Sequence, residues 1–370
     1  MRVSISRPCL ASVERTESLG APPTRSGVTR SKKISWENLS DEDLFKVRIC
    51  DLGVRIEGGE VEPRVWQLYE ELQDRGLFLR PKCYLSDEWL SPNGQPAIGI
   101  PFYLAHPRLK ALEFRMMFEV EGGTPSPCMK LLRHEAAHAI DHAYGLHRRA
   151  DWQQVFGSPR KRYSPYLYQV DPHSKHHVRN LPDNYAQCHP EEDFAESFAV
   201  WLNPASQWRT RYKGWPAMRK LRFVNRVMLE LSELPVPRRK PVLHSETRSL
   251  RSTLHSYYRK KHRLHRVGDL AFAARDMKTI FRVSRAREPD NLASVLIRRN
   301  KRHLVESIAT WSGERPTQVS VVLTRLAQLC DEHRLVLRDD ADVSLVKLST
   351  YTTTLIVNRV HTSTYRPLKR

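Results

Sequence analysis

No stretch of the 370 residues approaches the ~18 consecutive apolar positions that a membrane-spanning helix needs. The first 33 residues lack the apolar core of a secretory signal. They are rich in Ser, Arg and Pro, the composition of a disordered polar tail and also of a transit peptide. Cysteine is scarce, with six in the chain and no CxxC pair, which argues against a disulfide framework or a zinc ribbon. Scattered, reduced, mostly buried thiols fit a cytoplasmic protein. Internal repeats and low-complexity tracts are missing as well. Hydrophobic residues make up 40% of the chain, enough to build a core, so wholesale disorder is excluded.

What the chain has in excess is positive charge, a formal +20 with a pI near 9.9. About three quarters of that excess falls after residue 230, in under two fifths of the length. So uneven a split suggests contact with a polyanion (a nucleic acid, an acidic membrane surface or an acidic partner) for one region and a different task for the other. The length suits two ordinary domains. The expected organisation is a polar tail over 1–33, a patterned domain over 34–232, a Pro-interrupted linker over 233–247 (ELPVPRRKPVLHSET) and a basic domain over 248–370.

Within the patterned domain, RVWQLYEELQDRG (Arg64 to Gly76) has a helical apolar period stopped by glycine. LFKVRICDLGVRI (Leu44 to Ile56) reads as a helix or strand start followed by a strand. AIGIPFYL (Ala97 to Leu104) follows the turn SPNGQP and reads as a strand, with Pro101 arguing for a sheet edge. Beyond the linker, Leu304 to Trp311 and Gln318 to Leu329 read as two helices around SGERP. The β-rich runs RLVLRDDADVSLVKL and TTTLIVNRV follow, an order that allows a winged-helix arrangement.

Chemistry concentrates in LLRHEAAHAIDHAYGLH, Leu131 to His147, which predicts a helix over about Cys128 to Tyr144. At ~100° per residue, His134 and His138 lie ~40° apart on one face and can reach one metal ion. Glu135 then sits beside the ion without binding it. A bare HExxH also arises by chance, and a catalytic zinc takes three protein ligands, so a third must come from elsewhere. NYAQCHPEEDFAESFAVWLNP (Asn184 to Pro204) offers one on a later helix. Glu192 and Glu196 are one turn apart there, which suits one carboxylate as ligand and the other as the orienter of a ligand histidine. Glu191 adjoins Glu192 but points ~100° away and has only Ala195 at helical spacing.

Together HEAAHAIDHAYG and YAQCHPEEDFAESFA resemble the gluzincin metallopeptidases, most closely the bacterial zinc-binding metallopeptidase family and the catalytic domain of anthrax lethal factor. The resemblance runs from about Ile34 to Leu231. It implies Zn2+ held by His134, His138 and Glu192, with Glu135 as general base and Tyr185 assisting the oxyanion. Glu196 and Asp141 fall on the supporting acids that flank the ligands. The fold it implies is α+β, a zincin-like domain with a small mixed sheet and active-site helices, followed here by a basic α+β domain that resembles nothing identified.

The expected activity is peptide-bond hydrolysis of a protein or peptide substrate by zinc-activated water. Competing readings are a nucleic-acid-binding regulator whose protease domain is vestigial or serves a regulatory cut, and a binding module that keeps zinc for structure. Of the other histidines, those of DPHSKHH (His173, His176, His177) read as a solvated loop, and His142 reaches a metal only if its helix bends. Tyr163, Tyr166 and Tyr168 read as packing residues, and Trp201, Trp208 and Trp215 as core or groove aromatics. The run Arg248 to Arg266 interleaves Tyr257 and Tyr258 with cations, as a phosphate-contacting helix would.

Overall fold

The computed structural model describes residues 36–362 apart from 164–170, 172, 238–239, 265–269 and 285–291. The tail expected over 1–33 lies outside them, as do Tyr166 and Tyr168. Helix α1 (Glu62–Asp74) starts with Pro63 in its first turn and ends before Gly76, whose φ of 74° reverses the chain. Strands β1 (Lys82–Ser86) and β2 (Ala97–Pro101) pair in parallel, with Lys82 opposite Ala97 and Ser86 opposite Pro101. Then come α2 (Pro107–Met117), α3 (Pro125–Tyr144), α4 (Ala150–Phe156), α5 (Pro190–Leu202), α6 (Met218–Ser232) and α7 (Leu254–Leu264).

These elements enclose one apolar cluster whose members run in sequence from Trp36 to Tyr258. In it Phe194 of α5 meets Phe156 of α4 edge to face at 5.5 Å, and α5 is thereby fixed against the helices around it. Helix α3 lies between α1 and α5. On the α1 side, Arg133 and Glu71 form a buried two-point ion pair, both bonds 2.7 Å long.

A second cluster runs from Leu270 to Ile356. It is built by α8 (Ala273–Ile280), β3 (Arg282–Val283), α9 (Ala293–Ser312), α10 (Pro316–Glu332), β4 (Leu335–Val336) and α11 (Ala341–Thr362). β3 and β4 are two-residue antiparallel partners. The described chain is therefore α+β and mostly helical, with small two-stranded sheets.

The structure departs from the sequence expectations in four places. The runs expected as strands after Arg334 form α11 except for β4, so the hairpin that a winged helix needs is replaced by a helix. Leu348, Tyr351, Thr352, Leu355 and Ile356 are all buried, a helical spacing whose burial overrides the β-propensity of the Thr- and Val-rich sequence. The strand expected before Ile56 is instead a helical turn (Asp41–Leu44) and a 3-10 turn (Ile49–Asp51). Its backbone bonds the chain beyond the linker, Ile49 N to Ser252 O and Cys50 N to Leu250 O, both 3.0 Å.

The strand expected over Ala97 to Leu104 stops at Pro101, where a 3-10 turn (Phe102–Ala105) takes over; β2 stands at the edge of its sheet, with an isolated bridge to Leu90 on its outer side. Gly99 N donates to Leu90 O (2.8 Å), Leu90 N to Gly99 O (3.3 Å), and Ser91 Oγ to Ala97 O (3.0 Å). A Cβ at Gly99 would stand 2.9 Å from the Cβ of Ser86 and 3.0 Å from Leu90, so only glycine admits this approach. An extended substrate could not add to that edge without displacing residues 90 and 91. Finally, the Pro-rich segment is tied to the first cluster, since Val242 N donates to Gln95 Oε1 (3.0 Å) and Tyr84 Oη to His244 O (2.8 Å).

Candidate metal centre

Helix α3 extends for 20 residues, from Pro125 to a stop at Gly145 in the left-handed region. Its middle is small and apolar (Ala136, Ala137, Ala139, Ile140), so it packs deep in the core and carries His134 and Glu135 inside with it. Helix α5 starts at Pro190 after a capping residue, His189. His189 Nδ1 accepts the backbone N–H of Glu191 (3.3 Å), which leaves the ring proton on Nε2 to bond Lys161 O at 2.9 Å. The cap fixes the first turn of α5, and the next residue on that turn is Glu192.

The two helices bring three side chains to one point. His134 Nε2 and His138 Nε2 are 3.2 Å apart, and Glu192 Oε2 lies 3.0 and 3.4 Å from them. Three ligands ~2.0–2.1 Å from a tetrahedral zinc ion stand about 3.3 Å from one another. The triangle therefore has the size that a bound zinc requires. Glu192 Oε2 is buried and makes no hydrogen bond, so its lone pairs are uncommitted.

Electrostatics point the same way. Burial opposes charge on both imidazoles, yet the close Glu192 carboxylate raises the pKa of each, and Glu196 adds to the effect at His134. Burial likewise opposes the Glu192 carboxylate, and the two histidines outweigh it and hold its pKa well below the usual range. A pocket that draws positive charge onto its own nitrogens is one that accommodates a cation. His134, His138 and Glu192 could hold a metal ion.

Around this triangle the other residues singled out in the sequence fall as follows. Glu196 is fully buried; its Oε1 is 2.9 Å from His134 Nδ1 and accepts from Asn180 Nδ2 (2.9 Å), while Oε2 accepts Leu181 N (2.7 Å). His134 Nδ1 must then carry the proton, which presents the Nε2 lone pair to the triangle. Glu135 is buried, and desolvation pushes its carboxyl pKa up. The Tyr185 ring lies 5.7 Å from that of His134. Asp141 is spent elsewhere: its Oδ1 accepts the backbone N–H of His147 at 2.7 Å and contacts His147 Nδ1 at 2.9 Å, closing the turn after α3. No hydrogen bond or ion pair joins Asp141 to His134 or His138 among the described residues.

His142 stacks on His138 at 6.4 Å, outside the triangle, and burial lowers its pKa to about 4. The DPHSKHH loop is not part of the triangle either. Its His177 stands 3.9 Å from Asp193, and Lys220, 2.6 Å from the same carboxylate, also donates to His176 O.

Two features escape sequence reasoning. Tyr163 Oη is 2.8 Å from Tyr185 Oη, so a residue read as packing shares the tyrosine hydroxyl beside the site. Asn180 and the Leu181 amide hold Glu196, and both come from an irregular segment with no periodic signal.

Residues 129–227 match the model of a family described as "Putative zinc-binding metallo-peptidase". The match takes in every residue of the triangle and covers about a quarter of the chain. No curated protein and no solved structure matches the sequence. No helix among the described residues is long and apolar enough to cross a membrane.

Proposed function

We propose that the protein is a zinc-dependent peptidase whose metal ligands are His134, His138 and Glu192. The observation that carries this reading is the 3.0–3.4 Å triangle with its unbonded, buried Glu192 oxygen. The match of residues 129–227 to a metallopeptidase family supports it. Bound there, zinc would acidify a water in its fourth position and polarise the scissile carbonyl.

The chain's own residues supply the rest. Glu135, one position from a ligand and hydrogen-bonded to none of the described residues, takes the proton of the attacking water and passes it to the leaving amine. Its raised pKa suits a group that must hold and release a proton. Tyr185 donates its hydroxyl to the oxyanion, with Tyr163 as hydrogen-bond partner in the resting site. Glu196 keeps His134 in the required tautomer.

Metal analysis of the purified protein beside Glu192→Ala tests the proposal. The wild type should carry one zinc per chain and the variant far less. A wild type that takes up no zinc, or a variant that keeps its full complement, would refute the ligand set.

A further inference from the structure

The basic run from Arg248 does not stand free in solvent. Leu254, Tyr257 and Tyr258 of α7 are buried in the first cluster, and Lys261 pairs with the buried Glu113 carboxylate. That leaves the opposite face of α7 to line a groove of about 510 Å3. Phe45 and Met116 give it apolar surface, with the buried Tyr258 ring beneath them, while Arg259, Arg263, His255 and His262 give it charge or donors. The groove adjoins a second lobe of about 460 Å3, which shares Phe45 and His255 and carries Lys46 and Glu42.

His255, Arg259 and Arg263 are four apart and share a helix face. His262 is tied to Met116 O at 2.9 Å, and Lys46 to Asp43 at 2.8 Å. Neither Arg259 nor Arg263 has an ion pair or hydrogen bond among the described residues. Two exposed guanidiniums one turn apart, beside apolar surface, are therefore available to an external ligand.

We propose that this groove binds an acidic polypeptide segment in which carboxylates alternate with apolar side chains. Guanidinium forks take carboxylates in two-point pairs, and Phe45 and Met116 take the apolar side chains between them. From Thr253 to Arg263 the helix rises ~15 Å, the span of about five extended residues. A nucleic-acid strand fits less well, because a phosphate track asks for a continuous cationic lining and Phe45 and Met116 interrupt it here. The inference does not depend on whether the metal centre is catalytic.

The test is fluorescence anisotropy on the full chain in a Glu135→Gln background, so that no probe is consumed. The probe is a labelled decapeptide of alternating glutamate and leucine, compared with its glutamine counterpart and with a ten-nucleotide oligothymidylate. The acidic peptide should bind at least tenfold more tightly than the neutral one. Arg259→Glu with Arg263→Glu should remove at least tenfold of that affinity, and Arg248→Glu with Arg251→Glu, in the same basic run but outside the groove, less than twofold. If the charge-reversed pair melts early, Arg259→Gln with Arg263→Gln replaces it. An equal loss in both pairs would mean non-specific attraction to a +20 protein and would overturn the assignment. Tighter, Arg259-dependent binding of the oligonucleotide would overturn it in favour of a nucleic-acid surface.

Discussion

The two apolar clusters of this chain differ in what they bury with their hydrocarbon. Around the first lie Glu71, Glu113, Arg133, His134, Glu135, Asp141, His189, Glu192, Asp193 and Glu196, all with little or no exposure. Around the second, the buried polar side chains among the described residues are hydroxyls: Ser294, Thr317, Ser320, Ser344 and Thr352. Burying an ionisable group is costly unless it is paired, whereas a neutral hydroxyl costs less and needs a single partner, as Thr317 has in Met117 O at 2.8 Å. Ionisable groups therefore collect where structure or chemistry requires them. Those of the first region sort into ion pairs that join helices, groups that fix turns such as Asp141 and His189, and a set around the triangle in which Glu192 Oε2 makes no hydrogen bond. The second region is what a helical packing unit looks like without such demands.

The sharpest way to break this contrast is at Glu135. If that side chain serves chemistry, Glu135→Gln should lower peptide cleavage by ~10²–10⁴-fold while zinc content stays at the wild-type level. Stability should hold or rise, since a buried carboxylate whose pKa is pushed up gives way to a neutral isostere. Metal analysis, a cleavage assay on a denatured protein substrate and a urea melt read the three quantities together. Unchanged cleavage would refute the base assignment and return Glu135 to the ordinary buried charges.

Arg133 should behave in the opposite way. Its pair with Glu71 is buried on both sides and joins α1 to α3 one residue before His134. Arg133→Ala strands Glu71 and should cost ~3–5 kcal/mol in urea denaturation. Replacing both partners by methionine should recover most of that loss. A double variant as unstable as the single one would show that the pair sets the geometry of α3 beyond its own charges.

How much of this was legible in the sequence follows from the range of each contact. His134 and His138 are neighbours on one turn, and Glu192 and Glu196 on another, so helical spacing alone exposes both pairs. The same spacing is present in α11 at Leu348, Tyr351, Leu355 and Ile356, but the β-branched composition masks it. Contacts that no local period encodes stay hidden. Arg133 reaches Glu71 across 62 positions, Tyr163 reaches Tyr185 across 22, and Glu196 is held from the irregular segment at Asn180 and Leu181. The acid after the HExxH motif shows the reverse failure. Asp141 stands at a suggestive spacing, yet the tight turn at Gly145 returns the chain so that His147 takes its carboxylate.

In the second region the expected damage is purely one of packing. Leu323 of α10 is fully buried in that cluster, and Leu323→Ala should cost ~2–5 kcal/mol through lost contacts and the cavity left behind. If the two clusters are stabilised separately, zinc content should not change. Loss of zinc in step with unfolding would show that α10, joined to the end of α2 through Thr317 and to Glu121 through Arg315, supports the first region as well.

The smallest effect tests whether the buried charges of the first region leave a pH signature of their own. His177 is partly buried beside Asp193 and Lys220, and its pKa falls to about 4, chiefly by burial and then by the Lys220 charge. The groups nearest to it also include His176 and Lys161, which oppose its protonation, and Asp171, which favours it. With the folded pKa depressed below 6.5, the unfolded chain binds the proton first as pH falls. Stability from this residue is thus unchanged above pH ~6.5, drops between ~6.5 and ~4, and levels off below. Discounted for its partial exposure, the drop should be on the order of 1 kcal/mol. Urea midpoints of wild type and His177→Gln at pH 7.5 and 5.0 isolate it, because the other titrating groups are common to both proteins. The variant should lose less stability than the wild type between these two pH values. Equal losses would mean that the imidazole titrates in solvent despite its neighbours, and that the cation beside it, Lys220, spends its charge on Asp193 alone.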